Sequence, residues 1–187
     1  MDVPTVWAEC LVNSTEAQLV LRSGILKRFL LSFSGRSNVL KIEIIHLPFC
    51  LLHYQLEGSK SQQGISILVD GYRRAARHMK EEELSLTRRP SGVEEFPYPL
   101  GRGETVQIAR SYLSSLRMAR TFSPSVTFGR EPAIKHIIQY PFYVVYRRAG
   151  GCSVKFDMAD GLTGKRGGTL ANQAFLAALY EGKPGHH

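Results

Sequence analysis

The chain has little cysteine and no pattern in what it has. Cys10, Cys50 and Cys152 are three in number and far apart, so they offer neither a disulfide framework nor a CxxC pair for zinc or redox chemistry. The thiols are expected to be reduced, with Cys50 buried in an apolar run as a small hydrophobe. Long hydrophobic runs are missing too: nothing approaches the ~20 consecutive apolar residues of a membrane-spanning helix. Met1 to Cys10 holds Asp2, Pro4 and Glu9 where a secretion signal would place basic residues before an apolar stretch. These absences set the expectation of a cytoplasmic protein with no membrane partner.

Catalytic signatures are equally scarce. There is no Gly-x-Ser-x-Gly elbow, no His-Glu-x-x-His pair and no Cys/His ligand cluster, so no metal, no cofactor and no reaction is implied. Gly161-Leu162-Thr163-Gly164-Lys165-Arg166 invites comparison with a phosphate loop, but that loop needs four residues between its glycines and Ser or Thr after the lysine. Here two residues intervene and Arg166 follows, which reads instead as a strand-to-loop turn using glycine for its permissive backbone.

What is present is a folded chain with a hydrophobic share of 43% over 187 residues, enough for one domain or two small ones. The formal charge of +8 favours acidic partners without naming one. Basic residues come in scattered groups: Arg73, Arg74 and Arg77, then Arg88 and Arg89, then Arg147 and Arg148, then Lys165 and Arg166. Runs of this kind are usually solvated faces. His186 and His187 have the pattern of an expression tag and carry no site.

The most informative feature is an internal repeat. Ile44-Ile45-His46-Leu47-Pro48-Phe49-Cys50-Leu51-Leu52 is answered by Ile137-Ile138-Gln139-Tyr140-Pro141-Phe142-Tyr143-Val144-Val145, and a second apolar segment closes each copy at Asp70-Gly71 or Asp160-Gly161. A helix-like stretch precedes each run, Thr15 to Phe33 in the first and Glu104 to Ala119 in the second. The first opens on Asn13 with Glu16 three residues on, a relative of the capping box. The second carries the stripe Val106, Ala109, Leu113, Leu116. The expected fold class is therefore α+β: an internal duplication of a helix-strand-strand unit, with antiparallel sheet or sheets packed against helices. Residues 1–84 form the first repeat, 85–103 an exposed linker rich in charge, proline and glycine, and 104–182 the second repeat. A last helix capped by Thr169 carries Leu170, Ala174, Leu176 and Leu179.

Proline removes a ladder donor, so each strand is expected to begin, bulge or lie at an edge at Pro48 or Pro141, with the regular strand running from Phe49 and Phe142 onward. Alternation then sets Phe49, Leu51 and His53 on one face and Phe142, Val144 and Tyr146 on its counterpart, the shared core face. The second strands differ. Copy two alternates Phe156 and Met158 with Lys155 and Asp157, leaving one wet face, whereas copy one has Ile65, Ile67 and Val69 where copy two has Lys155, Asp157 and Ala159. Water should not meet those three aliphatics. The expected cover is a second subunit, making Ile65, Ile67 and Val69 a homodimer face, or else the N-terminal helix or residues 72–84.

Residues 104–165 resemble a PepSY domain, a small helix-plus-antiparallel-strands module, in the helix Gln107-Ile108-Ala109-Arg110 and in the closing turn Asp160-Gly161-Leu162-Thr163-Gly164-Lys165. Copy one has Asp70-Gly71-Tyr72-Arg73 at the matching place. The resemblance implies a regulatory, often protease-inhibiting, module.

Three functions follow as expectations. The first is a non-catalytic binding or regulatory protein that recognises a protein or peptide. The second is a nucleic-acid binder, in which Tyr143, Arg147 and Arg148 along one strand, with Lys165 and Arg166, stack bases and neutralise phosphates. The third is an enzyme between the repeats using Asp70 and Asp160, or one of His46, His53, His78 and His136. Against the third stands the ordinary role of Asp before Gly as a turn former, and the histidines read as satisfied residues at strand ends.

Overall fold

A computed structural model describes residues 3–11, 39–57, 64–90, 93, 95–119, 127–129, 131–149, 153–167 and 169–181. The helix expected over 15–33 lies outside the described residues. In order, the elements are β1 (Thr5–Ala8), β2 (Val39–Glu57), β3 (Gly64–Asp70), β4 (Ala75–Met79), a 3-10 turn (Glu81–Glu83), β5 (Leu86–Thr87), α1 (Arg102–Met118), β6 (Thr127–Phe128), β7 (Ala133–Arg148), β8 (Val154–Asp160), β9 (Arg166–Gly167) and α2 (Thr169–Glu181). The class is α+β, with a mixed sheet: β1 runs parallel to β7, whereas β1–β5, β2–β3, β2–β6, β3–β4, β7–β8 and β8–β9 are antiparallel.

The chain divides into two compact units, and both are discontinuous. Unit 1 is Met1–Ala8, Pro48–Arg89 and Phe96–Gln139; unit 2 is Glu9–Leu47, Pro90–Glu95 and Tyr140–His187. The sequence boundaries at 84 and 104 are not those of the units. The reason lies in the long strands: β2 and β7 each run without a break from one unit into the other. The stretch read as an exposed linker is also structural in part, since Phe96 and Leu100 are buried and the Gln139 side-chain amide donates to the Phe96 carbonyl at 3.0 Å.

In unit 1 the sheet order is β4-β3-β2-β7-β1-β5, with β6 on the end of β2. Here β2 meets β3 from Phe49↔Asp70 to Gln55↔Gly64. This register places Cys50, Leu52 and Tyr54 beside Val69, Ile67 and Ile65 on one face, and α1 lies on that face through Val106, Ala109 and Leu113. The helix stripe read from the sequence is the stripe that packs. Two corrections follow. The helix-covered face of β2 is Cys50, Leu52 and Tyr54, not Phe49, Leu51 and His53, although Phe49 and Leu51 are buried as well. And the cover over Ile65, Ile67 and Val69 is α1 of the same chain, which leaves these residues no surface to offer a second subunit.

Unit 2 pairs β7 with β8 from Phe142↔Asp160 to Arg148↔Val154, and β8 with the short β9. Phe156 meets Phe175 of α2 edge-on, centroids 5.4 Å apart, and Tyr146 at 6.3 Å. The buried residues of α2 are Ala171, Ala174, Phe175 and Ala178, while Leu176 is exposed. Tyr143, Val145 and Ala159 form a second apolar group with Cys10, Val39 and Ile42.

Pro48 and Pro141 lie inside β2 and β7 rather than at their starts. Each sits one residue before a hairpin ladder begins, at Phe49 or Phe142, so its missing N–H costs that ladder no bond.

Candidate functional site

The expected turn at the end of β8 is built around Asp160. Its carboxylate accepts the N–H groups of Leu162 and Thr163, both at 2.9 Å, and the Tyr140 hydroxyl at 3.0 and 2.9 Å. Gly164 takes φ 67, the left-handed region that glycine enters without strain, and its N–H returns to the Asp160 carbonyl. Amides that a phosphate would need are already committed to a carboxylate. Asp70 does the same work in β3, accepting from the Arg73 N–H at 2.9 Å with the Arg73 guanidinium 3.8 Å away. Burial raises its pKa, and the bonds and charge from Arg73 only partly offset this. Both aspartates are turn residues.

The basic strand face looks different in space. Tyr143 is 5% exposed and packed in the apolar group of unit 2, so its ring does not face solvent for base stacking. Arg147 and Arg166 converge on one carboxylate, Asp157, at 3.6 and 2.6 Å. Arg148 is exposed at the end of β7, and alternation turns it to the opposite face from Arg147. Lys165 is exposed within the turn. The structure thus brings together only Arg147 and Arg166 of the five, and Asp157 neutralises half of their charge.

Sequence reasoning missed a polar cluster in unit 1. His53 and Ser66 are direct cross-strand partners. His53 Nδ1 lies 3.0 Å from Ser66 Oγ and 3.3 Å from Glu81 Oε1, and the Ser66 hydroxyl donates to the same carboxylate. Lys135 Nζ donates to both Glu81 oxygens, at 2.9 and 2.8 Å. Burial works to raise the Glu81 pKa, but the hydrogen bonds from Lys135 and Ser66 and the Lys135 charge outweigh it and hold the carboxyl below its ordinary value.

These are the residue types of a Ser-His-acid hydrolase without its geometry. A relay sets the serine on one ring nitrogen and the carboxylate on the other, whereas here both meet Nδ1. Nε2 stands over Gly64, where an added Cβ would come within 2.0 Å of it. Ser66 is 6% exposed in mid-strand, paired on both sides. The arrangement is a clamp that fastens the 3-10 turn to β2, β3 and β7.

The remaining histidines are dispersed. His46 is buried, and desolvation pushes its pKa down to about 4, so it is neutral at physiological pH. His78 is exposed and His136 half-buried. Among the described residues no group of three or more His, Cys, Asp or Glu is placed to hold a metal ion, and no helix is long and apolar enough to cross a membrane.

One open concavity stands apart from these closed clusters. A cleft of about 430 Å³ in unit 1 lies between β4 and α1, lined by Arg74 and Ala76 from the strand side and by Glu104, Gln107, Ile108, Ser111 and Tyr112 from the helix. Helix and strand are cross-tied at its two ends. Arg74 reaches Glu104 at 3.2 Å, and the His78 N–H donates to the Tyr112 hydroxyl at 3.0 Å. Glu104 also accepts from the Gly101 N–H at 3.4 Å, closing the first turn of α1. Arg74 itself takes φ 50, a conformation that costs a long side chain energy.

No family model, no curated protein and no solved structure matches the chain.

Proposed function

We propose that this chain is a non-catalytic binding protein whose partner is a protein or peptide, engaged at the cleft between β4 and α1. The cleft carries the reading. Its volume of about 430 Å³ is of the size that ligand sites have, roughly 300 to 1,000 Å³, and its lining mixes apolar Ala76 and Ile108 with polar Gln107, Ser111 and Tyr112. By contrast, Asp70, Asp160, Glu81 and Ser66 are engaged in turns or in the clamp.

The reading of two copies of one helix-strand-strand unit, PepSY-like in residues 104–165, is supported by their equal hairpin registers: seven pairs run from Phe49↔Asp70 and seven from Phe142↔Asp160. A nucleic-acid role has less support, since the intended stacking residue Tyr143 is buried and Asp157 binds both Arg147 and Arg166.

The test is selection of a displayed random peptide library on the immobilised chain, with each selected peptide re-measured in solution. Binders weakened tenfold or more by Ser111→Trp, which fills the cleft, support the reading. A library that yields no binder, beside salt-dependent binding of a mixed-sequence oligonucleotide, refutes it.

A further inference from the structure

We infer that the outer edge of β4 takes an extended, acidic peptide as an added strand, laid along α1. The inference rests on the binding-protein reading above and names its ligand class. The first argument is the backbone. β4 pairs with β3 on one side and, among the described residues, with no strand on the other. The His78 N–H goes to the Tyr112 hydroxyl rather than to β3, so the Ile67↔His78 pair is one whose backbone groups face away from the ladder. Two residues earlier, Val69↔Ala76 has the same parity, and the Ala76 N–H and C=O therefore also face outward. An outward donor and acceptor on one residue is what strand addition requires.

The second argument is the wall. Along the cleft Arg74 meets Glu104, Ala76 lies by Ile108, and His78 meets Tyr112. Four residues of helix advance about 6 Å and two residues of strand about 6.6 Å, so the two elements keep step. Side chains of α1 at every fourth position thus form a wall beside β4. A bound strand would use the outward groups of β4 on one flank and Gln107, Ser111 and Tyr112 on the other.

Charge selects the occupant. Residues 73–80 contain four basic residues and no acidic one, in a chain of net charge +8; Arg73 pairs with Asp70 and Arg77 lies over the Phe49 ring, so Arg74 and Lys80 are the exposed charges at the parity of Ala76 and His78. Glu104 is the one acidic side chain lining the cleft. The Arg74–Glu104 pair is open to water, with the two side chains 67% and 52% exposed, and exposed pairs contribute little. A ligand carboxylate can replace Glu104 on Arg74 at small cost. Charged edges also serve to repel unwanted strands, and the experiment separates that role from recognition.

Fluorescence anisotropy is measured with a labelled Glu-Val repeat hexapeptide, its Lys-Val counterpart, and the Glu-Val peptide N-methylated at alternate residues. The expected result is binding of the acidic peptide alone, weakened at least tenfold by N-methylation, by Arg74→Glu and by Ser111→Trp. Circular dichroism of each variant confirms that it is folded. Equal binding of the methylated peptide would overturn strand addition, leaving charge attraction only; equal binding of the lysine peptide would overturn the acidic preference; competition by a mixed-sequence oligonucleotide with undiminished affinity for Ser111→Trp would overturn both. If displayed peptides bind through the cleft but tolerate N-methylation, the edge-strand inference fails while the broader reading stands. If no displayed peptide binds, the broader reading fails with it.

Discussion

Replacing Ile67 by alanine tests the central packing of unit 1. Ile67 is 0% exposed, sits opposite Leu52 in the ladder, and belongs to the apolar group that α1 closes with Val106, Ala109 and Leu113. Truncation removes three carbons from a site walled by a strand on each side and a helix above, so the surroundings have little freedom to collapse. The expected cost is about 2–5 kcal/mol, and at roughly 2–4 °C per kcal/mol for a chain of this length the melting midpoint should fall by about 4–20 °C. Because the cover belongs to the same chain, the midpoints of parent and variant should not move when protein concentration is changed a hundredfold. Overpacking from the other side, Ala109→Leu, should cost about 1–3 kcal/mol. A loss within about 0.5 kcal/mol of zero for Ile67→Ala, the range of surface changes, would refute the burial of this face. A parent midpoint that climbs with concentration would restore a second subunit as its cover.

Three further outcomes are expected. His46 has its pKa lowered from 6.5 to about 4 by burial, so the unfolded chain takes up a proton that the folded chain refuses; the stability it supports is full above pH 6.5 and is lost as pH falls toward 4, at most about 3 kcal/mol at 1.36 per unit. Denaturant titrations of the parent and His46→Gln across that window should diverge, and parallel pH profiles would refute it. Burial pushes the Cys50 thiol up to about 12, so iodoacetamide at pH 8 should leave Cys50 unlabelled until denaturant is added; labelling of the native chain at a free-thiol rate, read by mass spectrometry, would contradict this. Asp160→Ala should cost about 1–3 kcal/mol through the stranded Tyr140 hydroxyl, beside the lost bonds to the Leu162 and Thr163 amides, and the Tyr140 part alone should vanish in a Tyr140→Phe background, a coupling that a double-mutant cycle measures.

Periodicity made α1 legible: Val106, Ala109 and Leu113 of the expected stripe are buried, with Thr105 beside them and Leu116 half-buried. The hairpins were legible from their Asp-Gly endings, because a turn former fixes where a strand stops and parity does the rest. Parity does not say what lies above a face, and that is where the reading went astray. Phe49, Leu51 and His53 alternate as cleanly as Cys50, Leu52 and Tyr54, and both sets contain buried residues. Which set meets a helix depends on α1, some fifty residues downstream. The last helix was read only in part: Ala174 of the expected face is buried, but Leu176 is exposed, while Ala171, Phe175 and Ala178 are buried with Ala174, small residues being what a helix uses where its backbone must come close.

For the polar clamp, half of the signal was available. Counting four places on from Phe49 and four back from Asp70 sets His53 opposite Ser66 in a hairpin of fixed register. Glu81 and Lys135 come from a turn and from another strand, and no local pattern announces them. The cleft is harder still, for Arg74 and Glu104 are thirty residues apart and each alone reads as a solvated charge. What sequence could offer was the basic bias of residues 73–80, and the fold gives that bias its meaning by placing it at β4, which among the described residues pairs on a single side and runs beside α1. The same charges buried in the middle of the sheet would cost stability. On the edge Arg74 and Lys80 stay exposed and discourage pairing with a second basic edge, and the acidic strand inferred above is the partner that would complement both backbone and charge.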